Sequence, residues 1–268
     1  MSQITLLFLY TSAALALAGS RFPQYANRIR ILLVVAVLLV AIGVHLHLGI
    51  LLAAVAPGGT LSLTLGGAIS LIGLQLAIIG LAAAMEPSLR GLSAGLLLLA
   101  ALAALGIVTP AGPSDGAALT WQMQTHVLLS MFAYGLLTAG AIVAVYALIQ
   151  DRRLRAARMS AMNHLFAPLE MTERVLYGVT TDGFASLSLS VVWGFTFVED
   201  LFAQHLAHKT ILSLLALTVF GILVAGRYLA GWRGHRAVYL YLGGFLLLLL
   251  AYFGSRFILE EVLNRSWS

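Results

Sequence analysis

Long apolar runs dominate the sequence and leave few folds open to it. Eight runs approach or exceed the length of about 20 residues that a helix needs to cross a bilayer. They are Ile4–Gly19, Ile31–Val55, Leu65–Met85, Leu92–Val108, Met123–Ile149, Val175–Phe197, Thr210–Gly226 and Ala237–Leu259. A transmembrane β-strand would alternate apolar and polar residues, whereas these runs are continuous. We therefore predict an all-α, polytopic membrane bundle of about eight transmembrane helices.

The composition favours the same class of protein and excludes others. Hydrophobic residues make up 61% of the 268-residue chain and charged residues 9%, against about 25% charged residues in soluble domains. So little charge cannot cover a water-facing surface, and we predict a single integral-membrane domain over residues 1–268. The chain has no cysteine, which excludes disulfides, dithiol redox chemistry and the Cys-x-x-Cys-His attachment of c-type haem.

The basic residues between the spans predict the orientation of the chain. The even-numbered loops and the C-terminal end hold only Lys209, Arg256 and Arg265, and the odd-numbered loops and adjoining helix ends hold the other twelve. Because Lys and Arg accumulate on the cytoplasmic side, the odd-numbered loops are predicted to be cytoplasmic and both termini to lie on the outer, periplasmic side. The net charge of +5 therefore reflects topology, and we expect no nucleic-acid partner.

The segment Trp121–Tyr134 carries a polar stripe in an otherwise apolar helix. His126, Ser130 and Tyr134 are four residues apart, so they share one helix face. Lipid offers such side chains no partner, and the stripe must therefore face protein, a cavity or a ligand. We predict that it lines a site open to the outer side of the membrane.

The predicted topology places five histidines in the outer half of the molecule: His45 and His47 in the second span, His126 in the fifth, and His205 and His208 before the seventh. Neutral imidazole is the commonest metal ligand and a usual ligand of haem iron. We predict that His126 is a ligand and that His208, His205 or His45 supplies a second one. His47 is two residues from His45 and faces another side. A histidine that only hydrogen-bonds across helices is the alternative for each.

Two tryptophans and an acidic pair extend the candidate site. Trp121 and Trp193 are predicted to lie near the outer interface, where aromatic belts are common. With Tyr134 they could instead flank a flat ligand such as a porphyrin. A rival interpretation is a divalent-metal site, because Glu199 and Asp200 precede the His-x-x-His spacing of residues 205–208.

Three segments resemble the cytochrome c assembly family of membrane haem-handling proteins. HVLLSMFAY (His126–Tyr134) is similar to the family's His-Val…Tyr segment. PLEMTERVLYGVTTDGFASLSL (Pro168–Leu189) is similar to its Leu-Glu…Glu/Asp-Arg run before a span that begins Gly-Phe. GWRGHRAVYLYLGGFLLLLLAYFGSRFI (Gly231–Ile258) is similar to its Trp-Arg-Gly, Gly-Phe and Tyr-Phe-Gly closing helix. The resemblance is strongest over residues 121–268, and before them it rests on the span pattern and on the placement of His45.

Two features of the haem-presenting members are absent from the sequence. Those members carry a tryptophan-rich loop where this chain has FVEDLFAQHLAHK (Phe197–Lys209). They also carry a histidine after the closing Tyr-Phe-Gly, whereas Arg256–Ser268 contains none. The departures favour the HemX-like and YpjD-like branch over full cytochrome c synthesis.

The resemblance implies a haem-binding or haem-handling, multi-pass protein of the bacterial inner membrane. His126 would take the family's first external axial-ligand position. Since the family's second external histidine is missing, we predict His208 as the second haem-iron ligand, with His205 and His45 as alternatives. Haem and the lipid bilayer are the expected partners, another membrane protein is an open alternative, and no enzymatic activity is expected. The alternative function is a small-solute or metal-ion transporter, or an accessory membrane subunit, without haem.

Overall fold

The computed structural model describes residues 2–55, 63–106, 120–156, 161–197 and 207–254. These residues form eight α-helices and no strand: α1 (Ser2–Gly19), α2 (Ile29–Val55), α3 (Leu65–Ala84), α4 (Arg90–Ala103), α5 (Trp121–Arg155), α6 (Leu169–Phe195), α7 (Ala207–Ala230) and α8 (His235–Leu249). Short 3₁₀ segments lie at Pro23–Arg28, Pro87–Leu89, Ala104–Gly106 and Ala161–Leu165, and a π-helical turn at Leu250–Gly254 continues α8. With these flanking turns, all eight are long and apolar enough to cross a membrane, which confirms the predicted fold class.

The helix bounds follow the apolar runs except around one loop. α5 continues beyond Ile149 to Arg155, and α6 begins at Leu169 rather than Val175. The polar ends carry charge pairs one helical turn apart, between Arg155 and Asp151 at 2.8 Å and between Arg174 and Glu170 at 3.7 Å. Because hydropathy marks only the lipid-buried part of a helix, it missed these ends. The polar residues 169–174 therefore belong to α6.

The chain divides into two compact units. The first comprises Met1–Ser114 and Tyr146–Arg174, and the second comprises Asp115–Val145 and Val175–Ser268. The first unit thus contains α1 to α4, and the second contains α7, α8 and most of α5 and α6. The single integral-membrane domain over residues 1–268 stays a prediction.

Small residues bring the helices of the first unit into close contact. A Cβ atom on Gly73 of α3 would lie 2.6 Å from the Cβ of Ala103, the last residue of α4. The hydroxyl of Ser93 donates across the same contact to the carbonyl of Gly80, at 2.5 Å. Helices in lipid associate through such close packing and hydrogen bonds, because lipid removes the hydrophobic driving force.

Side-chain hydrogen bonds tie the segment between α5 and α6 to the first unit. The hydroxyl of Tyr146 donates to the carbonyl of Leu165 at 2.8 Å and accepts from the backbone N–H of Ala167 at 2.9 Å. The guanidinium of Arg21 donates to the carbonyl of His164 at 2.8 Å. These bonds satisfy backbone groups that the short 3₁₀ segment leaves without helical partners.

In the second unit, two glycines shape the turn between α7 and α8. The N–H of Trp232 donates to the carbonyl of Gly226 at 3.0 Å, and the N–H of Gly231 donates to that of Arg227 at 3.2 Å. The bond from Gly231 to Arg227 is the one that closes an αL cap, in which a left-handed residue lies just after the helix. Gly231 and Gly234 have φ angles of 64° and 68°. The Gly-Trp-Arg-Gly motif is therefore a helix-ending device.

Candidate functional site

The predicted ligand His126 is held in place by a backbone carbonyl of the neighbouring helix. Its Nδ1 atom lies 3.0 Å from the carbonyl oxygen of Ser190. His126 lies in the second turn of α5 and Ser190 in the last third of α6, and both belong to the second unit. His126 is half-buried, so part of the residue remains accessible.

This hydrogen bond fixes the tautomer of His126. A carbonyl oxygen only accepts, so Nδ1 must carry the hydrogen and donate it. In the neutral ring the lone pair then lies on Nε2, which has no hydrogen-bond partner among the described residues. Metal-binding histidines usually donate their other ring N–H to a carbonyl or carboxylate in this way. The geometry thus orients the ring and leaves the lone pair of Nε2 without a partner among the described residues.

Gly194 makes room for the imidazole ring. A Cβ atom at this position would lie 3.0 Å from Cε1 and 3.2 Å from Nδ1 of His126. The ring of Phe197 also meets the imidazole edge-on, with 6.0 Å between centroids. A glycine and an aromatic residue one turn apart therefore define the position of His126 against α6.

Trp121 and Trp193 extend this contact into a histidine–aromatic cluster, which we define as Trp121, His126, Trp193 and Phe197. The two indole rings are 5.9 Å apart, and Trp193 lies 6.5 Å from Phe197. The indole N–H of Trp193 donates to the carbonyl of Gln122 at 3.1 Å. Trp121 is 64% exposed, so the cluster includes open aromatic surface.

The other members of the predicted polar stripe bond to protein. The hydroxyls of Ser130 and Ser190 are 2.6 Å apart. The Tyr134 hydroxyl donates to the carbonyl of Leu248 at 2.8 Å, just before the π-helical turn. Tyr134 is buried and contacts Tyr252 and Phe253. The expectation that the stripe meets protein or a cavity holds for these two residues, while a role for Tyr134 beside a ligand stays a prediction.

Of the histidines predicted as a second ligand, the structure describes His208 and His45 but not His205. His208 is exposed at the beginning of α7, in the same unit as His126. His205, with Glu199 and Asp200 of the rival metal site, lies outside the described residues. Among the residues that the structure describes, no group of three or more histidine and carboxylate side chains could hold a metal ion.

The two histidines of α2 differ sharply in environment. His45 is exposed, whereas His47 is fully buried in the first unit. The ring of His47 bonds to the hydroxyl of Ser70 on α3 at 2.8 Å and to that of Tyr10 on α1 at 3.2 Å. His47 thus links three helices, as expected for a histidine that bonds across a bundle.

His47 and Asp182 have environments in the structure that were not predicted from the sequence. The packed face of α2 carries Ala36, Val40 and Gly43 at helical spacing, and His47 continues that series, so its burial could have been inferred. Asp182 is a charged residue at the middle of α6, with an exposed side chain. An ionisable residue within a span is a functional candidate by default. Asp182 was not singled out from the sequence because it lies inside a long run of mostly apolar residues.

The fold and the oriented histidine define a polytopic helical membrane protein with an imidazole packed in an aromatic cluster. A family model described as "Cytochrome C assembly protein" matches residues 1–263. The chain belongs to this haem-related family. It is a multi-pass protein of the inner membrane, as predicted from the sequence.

Individual relatives match parts of the chain. It is 34% identical to "Inner membrane protein YpjD" of Escherichia coli (strain K12) over 140 residues, which are 52% of this chain and 53% of that protein. It is 30% identical to "Protein HemX" of Brevibacillus brevis over 132 residues, 48% of each chain. The matches span about half the length of these relatives. No solved structure matches.

Proposed function

We propose that this protein binds haem at the histidine–aromatic cluster, with Nε2 of His126 as an axial ligand of the iron. The observation that carries the proposal is the hydrogen bond from Nδ1 of His126 to the carbonyl of Ser190. It orients the ring and leaves Nε2 to bind a metal. An imidazole that served only to bridge helices would be expected to use both nitrogens, as His47 does.

The aromatic residues fit the same ligand. Haem is flat and largely apolar, and it packs favourably against aromatic rings. Trp193 contacts Phe197, whose ring meets His126, and Trp121 contacts Trp193. Both tryptophans leave part of their surface accessible. Bound haem would supply the iron and its redox chemistry, and the chain would hold and orient it. We therefore propose a binding or handling role and no enzymatic activity.

For the second ligand we propose His208. It is exposed and belongs to the same unit as His126. His205 and His45 are the alternatives, and His47 is less suited because both of its ring nitrogens have hydroxyl partners. Loss of the second ligand would leave five-coordinate haem, so it should change the spectrum more than it changes haem content.

The test is a haem titration of the detergent-purified protein followed by absorption. The wild type should develop a Soret band that saturates near one equivalent, and His126→Ala should lose most of the binding. His208→Ala should keep the haem with a shifted band. His235→Ala, which changes a histidine at the other end of the second unit, is the matched control and should behave as the wild type. A wild type without a Soret band, or an unchanged band in His126→Ala, would refute the proposal.

One observation favours a transport function without haem. Asp182 lies at the middle of a membrane-spanning helix with its side chain exposed, and such residues commonly mark ion or proton pathways. Reconstituted protein would then move protons or a divalent cation across vesicles, and Asp182→Asn would abolish the flux. Flux without a Soret band would favour this function, and a Soret band without flux would favour haem handling.

A further inference from the structure

A groove in the first unit is not used by the proposed haem site. It has a volume of about 550 Å³ and lies where the C-terminal end of α1 meets the start of α2. Leu15, Ala18, Gly19 and Leu32 provide apolar walls, and Phe22 and Tyr25 belong to the turn between the helices. The volume is within the range of about 300–1,000 Å³ that is typical of small-molecule sites.

Two arginines follow the groove-lining turn closely in the chain. Arg28 is three residues after Tyr25 in a 3₁₀ segment, and residues three apart lie above one another in such a helix. Arg28 and Arg30 are exposed, and neither forms an ion pair within the described part of the chain. No acidic residue precedes Glu86 in the sequence, so the helices that form the groove contain nothing to neutralise these charges.

We propose that this groove is a binding site for an anionic phospholipid. An acyl chain would lie between α1 and α2 along Leu15 and Leu32. The phosphate would meet the guanidinium of Arg28 and be further attracted by Arg30. Guanidinium groups bind phosphate oxygens through paired hydrogen bonds, and basic pockets at the end of membrane helices select anionic headgroups. Gln24, which also lines the groove, provides an amide that can bond to the glycerol or headgroup oxygens.

The ligand must cover the apolar walls and also carry a negative charge for the arginines, and an anionic phospholipid does both. A free phosphate ion would leave the walls uncovered, and a neutral lipid would leave the arginines without a counter-charge. The Cβ atom of an added side chain at Gly19 would meet only Leu32 Cδ1, at 3.8 Å. The groove is thus open at this position, and a large side chain there would occupy the space of the acyl chain.

Native mass spectrometry of the purified protein with added lipid tests the proposal. The wild type should retain phosphatidylglycerol in preference to phosphatidylcholine with the same acyl chains. Arg28→Gln with Arg30→Gln should weaken phosphatidylglycerol retention by about fivefold per arginine. The matched control is Arg233→Gln with Arg236→Gln, which removes two exposed charges from the second unit and should keep the preference.

Two further measurements show whether the lipid binds in the groove or is held only by the charge of the arginines. Gly19→Leu should lower retention of both lipids, and Ala18→Leu fills the same groove if Gly19→Leu does not fold. Inorganic phosphate at millimolar concentration should not displace phosphatidylglycerol. Four results would each overturn the proposal. The wild type could retain the two lipids equally, or the two arginine pairs could cause equal losses. Phosphate could displace the lipid, or a folded groove-filling variant could retain it fully. None of these readouts depends on haem.

Discussion

At Gly194, the missing side chain provides the space that the His126 ring occupies. We expect Gly194→Ala to displace the imidazole, because the new Cβ would lie 3.0 Å from Cε1. The hydrogen bond to Ser190 would lengthen, and haem affinity should fall by about tenfold or more, as for other residues that orient a metal ligand. The overpacking should also cost about 1 kcal/mol of unfolding free energy. A haem titration and a thermal melt measure the two effects.

Gly178→Ala is the matched control for that prediction. Gly178 lies on the same helix, and an added Cβ would meet nothing within 4 Å. This variant should bind haem as the wild type does and should be equally or slightly more stable, because alanine favours a helix by up to about 1 kcal/mol over glycine. Equal losses of haem affinity in both variants would show that the Gly194 contact does not position His126.

The two histidines of α2 should respond differently to substitution. His47→Ala removes a buried ring that bonds to Tyr10 and Ser70, and each buried hydroxyl left without a partner costs about 1–3 kcal/mol. His45→Ala, at an exposed position, should change the unfolding free energy by less than about 0.5 kcal/mol. Thermal melts of the two variants measure the difference. Similar melting temperatures would contradict the structural role of His47, and reduced haem binding in His45→Ala would make His45 an iron ligand.

The sequence predicted the oriented residue of the site better than its surroundings. The spacing of His126, Ser130 and Tyr134 on one helix face required no tertiary information. The carbonyl of Ser190 and the space at Gly194 lie more than 60 residues away along the chain, and nothing in local periodicity identifies which carbonyl a histidine will meet. The sequence predicted that Trp121 and Trp193 both lie near the interface, but it did not predict that their rings are in contact.

At the scale of elements, the turn between α7 and α8 depends on two left-handed residues. Gly231→Ala or Gly234→Ala should destabilise the protein, because a left-handed conformation costs an alanine about 1–2 kcal/mol. Gly243→Ala is the control within α8, since an added Cβ there would meet nothing within 4 Å and the position has no positive φ. A thermal melt of each variant makes the comparison. A loss in Gly243→Ala as large as that in Gly231→Ala would contradict this account of the turn.

Most helix bounds could be predicted from hydropathy, since a span must be apolar for the whole width of the bilayer. The run Ile31–Val55 and the helix α2 end at the same residue, and α3 begins at the predicted Leu65. The polar ends of α5 and α6 could not be predicted in this way. They are stabilised by charge pairs one turn apart and by hydrogen bonds to the intervening segment, which carry no hydropathy signal.

At the scale of the whole molecule, the distribution of basic residues predicts a topology that can be tested on one helix. Thr120 and Ala156 immediately precede and follow α5, and the chain has no cysteine of its own. We expect a membrane-impermeant maleimide to label Thr120→Cys in spheroplasts and to label Ala156→Cys only after lysis. The reverse pattern would invert the predicted orientation and move the histidine–aromatic cluster to the cytoplasmic side.

The central claim is that Nε2 of His126 bonds to haem iron, and chemical rescue tests it most directly. His126→Gly removes the ligand and leaves a space of imidazole size, so the absorption spectrum with haem should lose the wild-type Soret band. Added imidazole should restore that band, and it should leave the spectrum of the control His235→Gly unchanged. A His126→Gly protein that retains the wild-type spectrum without imidazole, or that shows no restoration when imidazole is added, would contradict the account.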